Sequence, residues 1–286
     1  MALPHVGTNE TESVVPPLTD RQREEAEDRT SVRAVVVHEA IRLDGDEELN
    51  RPVSALAWSG LAAGLSMGFS FIGQGLLQAH LPDTPWRPLI TNLGYSLGFL
   101  IVVIGRQQLF TENTLTAIIP LLAERKWSTF LSVLRLWAIV LAANLVGAHI
   151  FAWVAADTTF VKNDVQHALL ELAKTAAAVT VASAIWKGIF AGWLIAMMVW
   201  MNAASDASRI PIIVILTYVV SLAGLTHIIA GSVEVLFLVM VGATSWWTYL
   251  TGYMLPTLLG NIIGGVALVS ALNHAQVVAG FNKPSK

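Results

Sequence analysis

The sequence predicts an all-α membrane protein: six transmembrane helices in two inverted three-helix halves, with the second and fifth helices broken. Three observations carry this. Of the 286 residues, 55% are hydrophobic and 13% charged, with a mean hydropathy of +0.61, outside the balance of a soluble domain. Six long apolar regions follow one another between short polar loops. Two of them are interrupted by polar residues near the depth of a bilayer midplane, at Gly105–Asn113 and Thr226–Ser232. Polar groups there are costly unless they pair or line a cavity, so matched interruptions mark a pathway more than a packed core.

Residues 1–30 are rich in Glu, Asp, Thr and Pro and poor in large apolar side chains, so they are expected to be a mobile acidic segment. Over residues 31–50, Val32, Val35, Val36, Ala40 and Ile41 recur at three- and four-residue spacing among Arg33, His38, Glu39 and Arg42. That pattern predicts an amphipathic helix, either on the membrane face or packed beneath the bundle. Residues 51–275 form the membrane domain and 276–286 a short tail. A span needs about 20 apolar residues. The regions that satisfy it are Ala55–Gln78, Leu89–Leu122, Phe130–Ala156, Ala177–Ala203, Ile210–Val241 and Trp247–Leu272. The second and fifth are too long for one straight crossing and hold the interruptions, which predicts a half-helix, a turn and a second half-helix in each. Both occupy position two of a three-helix unit, and an odd number of spans per half inverts the halves.

Arg125, Lys126, Arg135 and Arg209 outnumber Arg87 in the loops, which places both termini in the cytoplasm, although Lys162 and Lys174 then fall on the outer side. Trp86, Trp127, Trp153, Trp246 and Trp247 lie near span ends, where amphipathic rings favour the headgroup region. No cysteine is present, which excludes disulfides and thiolate metal sites. The N-terminus lacks the features of a secretory signal, so the first apolar span is expected to insert as a mature helix. There is no GxxxxGK, GxSxG or HExxH pattern and no basic stripe. The chain is therefore expected to be no enzyme, to need no cofactor or metal and to bind no nucleic acid.

His227 is the one histidine at depth in a span, and it can offer a proton or a charge where an anion otherwise faces a large desolvation cost. Thr226 beside it is placed to set its tautomer. The alternative is an imidazole that only satisfies backbone groups freed by the break. At the first interruption Phe110, Thr111 and Asn113 adjoin the start of a new half-helix, whose unpaired N–H groups attract anions; Thr111 and Asn113 either add donors or only cap the helix. Arg106, Glu112 and Glu234 are expected to lock the broken helices together through buried charge pairing, with direct contact to the pathway as the other reading. Gly260 and Gly264, like Gly64 and Gly68, have the spacing that lets membrane helices approach closely, while Asn261 between the first two can donate to a central cavity.

Ser96-Leu97-Gly98, Leu109-Phe110-Thr111, Asn144-Leu145-Val146-Gly147, Val199-Trp200-Met201, His227 and Leu255-Pro256 with Gly260-Asn261-Ile262-Ile263-Gly264-Gly265 resemble the formate/nitrite transporter family in order and spacing over residues 50–275. The run Arg106–Thr114 and Thr226-His227-Ile228, with Gly231-Ser232-Val233-Glu234 beyond, most resemble its YfdC-like inner-membrane branch. The resemblance implies an aquaporin-like inverted repeat, a homopentamer with one pore per protomer, and passage of small monovalent anions such as formate or nitrite, or their neutral acids. It also implies apolar constrictions at Tyr95, Phe99 and Val220, a central site at Phe110, Thr111, His227 and Asn261, and a basic vestibule residue at Lys174. Against the family pattern, Thr226 and Gln108 replace acids and Gly192 and Gly231 replace asparagines. Two other functions fit the same sequence: a channel for water or a small neutral solute, and a non-conducting scaffold or sensor whose N-terminal segment binds a partner.

Overall fold

The computed structural model describes residues 19–22 and 32–281, and of these residues 34–281 form one compact unit. Apart from residues 19–22, the segment 1–30 lies outside the described residues. Among the described residues every regular element is helical. In chain order these are α1 (Ala34–Asn50), α2 (Val53–His80), α3 (Arg87–Ile104), α4 (Asn113–Thr116), α5 (Ile118–Glu124), α6 (Trp127–Ala155), α7 (Asn163–Ala177), α8 (Val181–Ala204), α9 (Arg209–Leu222), α10 (Ala230–Met240) and α11 (Thr248–Gly280). Five of them (α2, α3, α6, α8 and α11) are long and apolar enough to cross a membrane, while α9 and α10 are shorter apolar helices on either side of the second interruption. The first interruption separates α3 from α4 and α5. The two regions that looked overlong in sequence are thus divided at their polar residues.

The halves are built alike. Helix α2 packs along α6, and α8 packs along α11. Both pairs meet backbone to backbone at glycines: a methyl on Gly64 would strike the Asn144 carbonyl, and one on Gly192 would strike that of Asn261. With lipid as solvent, such close approach replaces the hydrophobic effect as the source of helix association. Gly192, where the family pattern has asparagine, therefore has no room for an amide.

Two features depart from the sequence reading. Helix α7 was not foreseen; it buries Val165, Ala168, Leu169 and Ala173, one stripe at helical spacing, against α2 and α10. The last helix, with π-helical segments at Thr248–Met254 and Gly264–Ala271, continues to Gly280 and so runs past residue 275. Helix α1 takes the packed alternative. It buries Val37, His38, Ile41, Gly45 and Leu49 against the bundle, and His38 Nε2 lies 3.0 Å from His274 Nδ1 on α11.

Candidate functional site

The first break begins where α3 ends in a left-handed residue. Arg106 has φ 50°, with Arg106 N–H donating to Val103 O and Gln107 N–H to Val102 O, the pair of bonds that closes a helix C-terminus. The chain then runs irregularly past Leu109 and Phe110. Two side chains meet its freed backbone groups: Ser59 Oγ accepts from Gln108 N–H at 3.0 Å, and Asn144 of α6 accepts from Phe110 N–H at 2.9 Å and donates from Nδ2 to the Gln108 carbonyl at 2.9 Å and to the Gly60 carbonyl of α2 at 2.7 Å. A buried backbone group left unpaired costs about 1–3 kcal/mol, so this bracket is what makes non-helical backbone tolerable here.

The second break repeats the device. Gly224 has φ 58°, Gly224 N–H donates to Ser221 O and Leu225 N–H to Val220 O. Asn261 of α11 accepts from Ile228 N–H at 2.8 Å and donates to the Thr226 carbonyl at 3.0 Å and the Gly188 carbonyl at 2.8 Å. All of its hydrogen bonds thus go to backbone, which corrects the expectation of an amide free to donate into a cavity. The matching role of Asn144 went unassigned in sequence. The signal that could have revealed it is the repeated Asn-x-x-Gly of Asn144–Gly147 and Asn261–Gly264.

Where the two breaks meet, His227 Nε2 lies 2.9 Å from Thr111 Oγ1, and both side chains are buried. The ring's other nitrogen faces the start of α10, where Ile229 N–H and Ala230 N–H approach Nδ1 at 3.3 and 3.2 Å. Two N–H groups aimed at Nδ1 make it the acceptor, so in the neutral ring Nε2 carries the hydrogen and donates to Thr111. The backbone sets the tautomer. Thr226, expected in that role, instead donates to the Ala184 carbonyl at 2.8 Å. Phe99 meets the imidazole edge to face with ring centroids 5.1 Å apart, and Tyr95 lies 5.3 Å from Phe99. Tyr95, Phe99, Val220 and Phe110 belong to one buried apolar cluster with Ile228 and Ile229. The site is one polar pair in an apolar sleeve.

The other sequence candidates lie elsewhere. Asn113 turns from the centre, donating to Gln108 Oε1 at 3.0 Å. The charge lock does not form: among the described residues Arg106 has no ion pair and is exposed, and neither Glu112 nor Glu234 pairs with a cation. The left-handed turn leaves Arg106 at a cavity of about 390 Å³ beside α1, lined also by Glu48, Glu112, Asn202 and Arg209, with no carboxylate at ion-pair distance from it among the described residues. Glu48 enters that wall from α1, accepting from Thr116 Oγ1 at 2.6 Å and Gln108 Nε2 at 3.1 Å. Burial pushes its carboxyl above the usual range, and these two hydrogen bonds oppose the shift. Lys174 is exposed in the last turn of α7.

Paired broken helices, joined by a matched pair of asparagines around one imidazole, define a membrane protein of the channel and transporter class. Residues 35–275 match the family model described as formate/nitrite transporter, and the chain belongs to that family. It is 41% identical over 251 residues to the inner membrane protein YfdC of Escherichia coli (strain K12), covering 88% of this chain and 81% of that one. To the formate channel FocA of Haemophilus influenzae it is 25% identical, over 76% of this chain and 84% of the relative. Among solved structures it resembles a pentameric formate channel with formate bound, with a TM-score of 0.66 at 21% identity over 79% of this chain and 98% of that one. That likeness shows the fold.

Proposed function

We propose that the protein is a homopentameric channel or proton-coupled transporter of the bacterial inner membrane, both termini cytoplasmic, passing small monovalent anions of the formate/nitrite type or their neutral acids through a pore in each protomer. The observation that carries this is the buried His227 Nε2–H, held toward Thr111 at the meeting of the two breaks and flanked by Phe99. The inner-membrane relative, the formate channel relative and the pentameric neighbour support the setting, the substrate class and the assembly.

In this reading Lys174 draws anions toward one mouth, since an exposed lysine raises their local concentration. Tyr95, Phe99 and Val220 then force a permeant to shed water, because an apolar constriction returns no hydrogen bonds. At the centre the imidazole N–H and the Thr111 hydroxyl replace part of the lost hydration. Phe110 lies against Trp137, ring centroids 5.6 Å apart, and closes the sleeve on the side of the first break. A hydrated cation has no acceptor cluster to meet there.

Stopped-flow flux into proteoliposomes with formate, nitrite, acetate, lactate and hydrosulfide at two pH values tests the proposal. Saturable or pH-dependent flux of at least one anion supports it, and none above empty liposomes ends it. The second reading, a channel for water or a small neutral solute, draws on Gly192 and Gly231, which bring no amides to the site. Osmotic swelling that ignores the anion favours it.

A further inference from the structure

The cavity of about 390 Å³ beside α1 has no part in the function proposed above, and three parts of the chain build its walls. The first is one face of α1, where Asp44, Glu47 and Glu48 stand three and four residues apart. The second is the first break, with Arg106 and Gln107, and the third is the turn between α8 and α9, with Asn202 and Arg209. Charge is divided across the space. Helix α1 contributes mainly carboxylates and the facing walls contribute two guanidinium groups and two amides; Arg51, just past α1, and Glu112 are the exceptions.

Opposite charges lining one partly buried space attract each other, yet here they stay apart. Among the described residues Asp44, Glu47, Arg51, Arg106 and Glu112 make no ion pair, while Arg209 pairs with Asp206. Helix α1 is held in place. Glu48 accepts from Thr116 Oγ1 and Gln108 Nε2, Arg135 donates to the Leu49 carbonyl at 2.5 Å, and a methyl on Gly45 would strike the Thr116 carbonyl. A separation fixed by the scaffold is a preorganised place for a molecule that carries both charges.

A second observation points to a ligand. Asn202 is 7% exposed, and neither its Oδ1 nor its Nδ2 has a partner among the described residues. Gln107 Oε1 is likewise enclosed and unpaired. Three of the eight such atoms thus belong to this cavity, so the cost of leaving buried polar groups unpaired is concentrated where a bound molecule can remove it. The donor set selects that molecule. Arg106 and Asn202 Nδ2 offer hydrogens to a carboxylate, while Asp44, Glu47, Asn202 Oδ1 and Gln107 Oε1 accept from an ammonium group. A lone anion would meet the α1 carboxylates, and a lone cation the guanidinium groups.

We propose that this cavity binds a small zwitterion with one carboxylate and one ammonium group, which joins α1 to the first break and to the α8–α9 turn. Neither His227 nor Thr111 lines it, and the proposal stands independently of the anion-transport reading.

Titration calorimetry of the full-length protein in detergent tests this, with glycine and γ-aminobutyrate as short and long probes and butyrate and butylamine as singly charged analogues. One zwitterion should saturate at an affinity at least tenfold above either analogue. Arg106→Gln should weaken it by about tenfold or more, the effect of losing one charge-assisted hydrogen bond. Asp44→Asn, at an exposed position on α1, should weaken it too and carries the test where R106Q disturbs the fold. The bound zwitterion should also slow limited proteolysis of α1, and His227→Asn should leave its affinity unchanged. Saturation by neither zwitterion, equal affinity for a singly charged analogue, wild-type affinity in both R106Q and D44N, or binding lost in H227N would each overturn the proposal.

Discussion

The two breaks are the same piece of backbone with different side chains. In each, a left-handed residue ends the incoming helix, and an asparagine from the long neighbouring helix bonds two carbonyls and one N–H. Arg106 matches Gly224, Gln108 matches Thr226, Leu109 matches His227, and Phe110 matches Ile228. Only the second break carries an imidazole; only the first carries the hydroxyl that meets it. The comparison teaches that the backbone device provides a place for chemistry at membrane depth, and that the chemistry comes from what each half adds.

The sharpest way to break the comparison is to remove a bracket. Asn144→Leu and Asn261→Leu each orphan two buried backbone groups of a break and take a second hydrogen bond from a helix carbonyl, Gly60 or Gly188. At about 1–3 kcal/mol apiece, each should cost several kcal/mol. Thermal unfolding in detergent should show two large and similar losses; a large loss at one and none at the other would mean that the breaks are not equivalent. Next in size is the chemical asymmetry. His227→Asn should lower anion flux by about a hundredfold, the usual effect of removing one well-aimed donor. Leu109→Asn at the matching position should not create a second site, so gain of flux there would count against the asymmetry.

Smaller effects sharpen the backbone match. Gly224→Ala should destabilise by about 1 kcal/mol, because the left-handed region penalises a side chain. Arg106→Gly should stabilise by a similar or smaller amount, and opposite signs in chemical denaturation would support the pairing of these two turns. The smallest effect concerns the α1 anchor. Burial raises the Glu48 carboxyl in the folded protein, so its favourable contribution is full below the ordinary carboxylate range and is lost as pH rises through the folded value. Glu48→Gln should therefore protect α1 from limited proteolysis at neutral pH and change little in acid; equal protection at both pH values would argue against burial as the cause.

Much of this was legible in the chain. Regions too long for one crossing, with polar residues at their centres, announced the breaks, and the glycine spacing announced close helix packing. Helix α7 was missed because its stripe is short and lies in a stretch of mixed polarity. The charge lock of Arg106, Glu112 and Glu234 failed for a different reason. Sequence distance across a break says nothing of direction: Arg106 and Glu112 come to line one cavity beside α1 without reaching ion-pair distance. Thr226 failed in the same way, since a neighbour in sequence points elsewhere once the backbone is irregular.

By itself the sequence determined the class, the inverted halves and the imidazole at depth, because hydrophobic length and the cost of polar groups in lipid act on residues one at a time. Only tertiary structure decided which nitrogen of His227 carries the hydrogen and that Asn144 and Asn261 bind backbone. Those depend on hydrogen-bond direction between helices far apart in the chain, which no local pattern encodes.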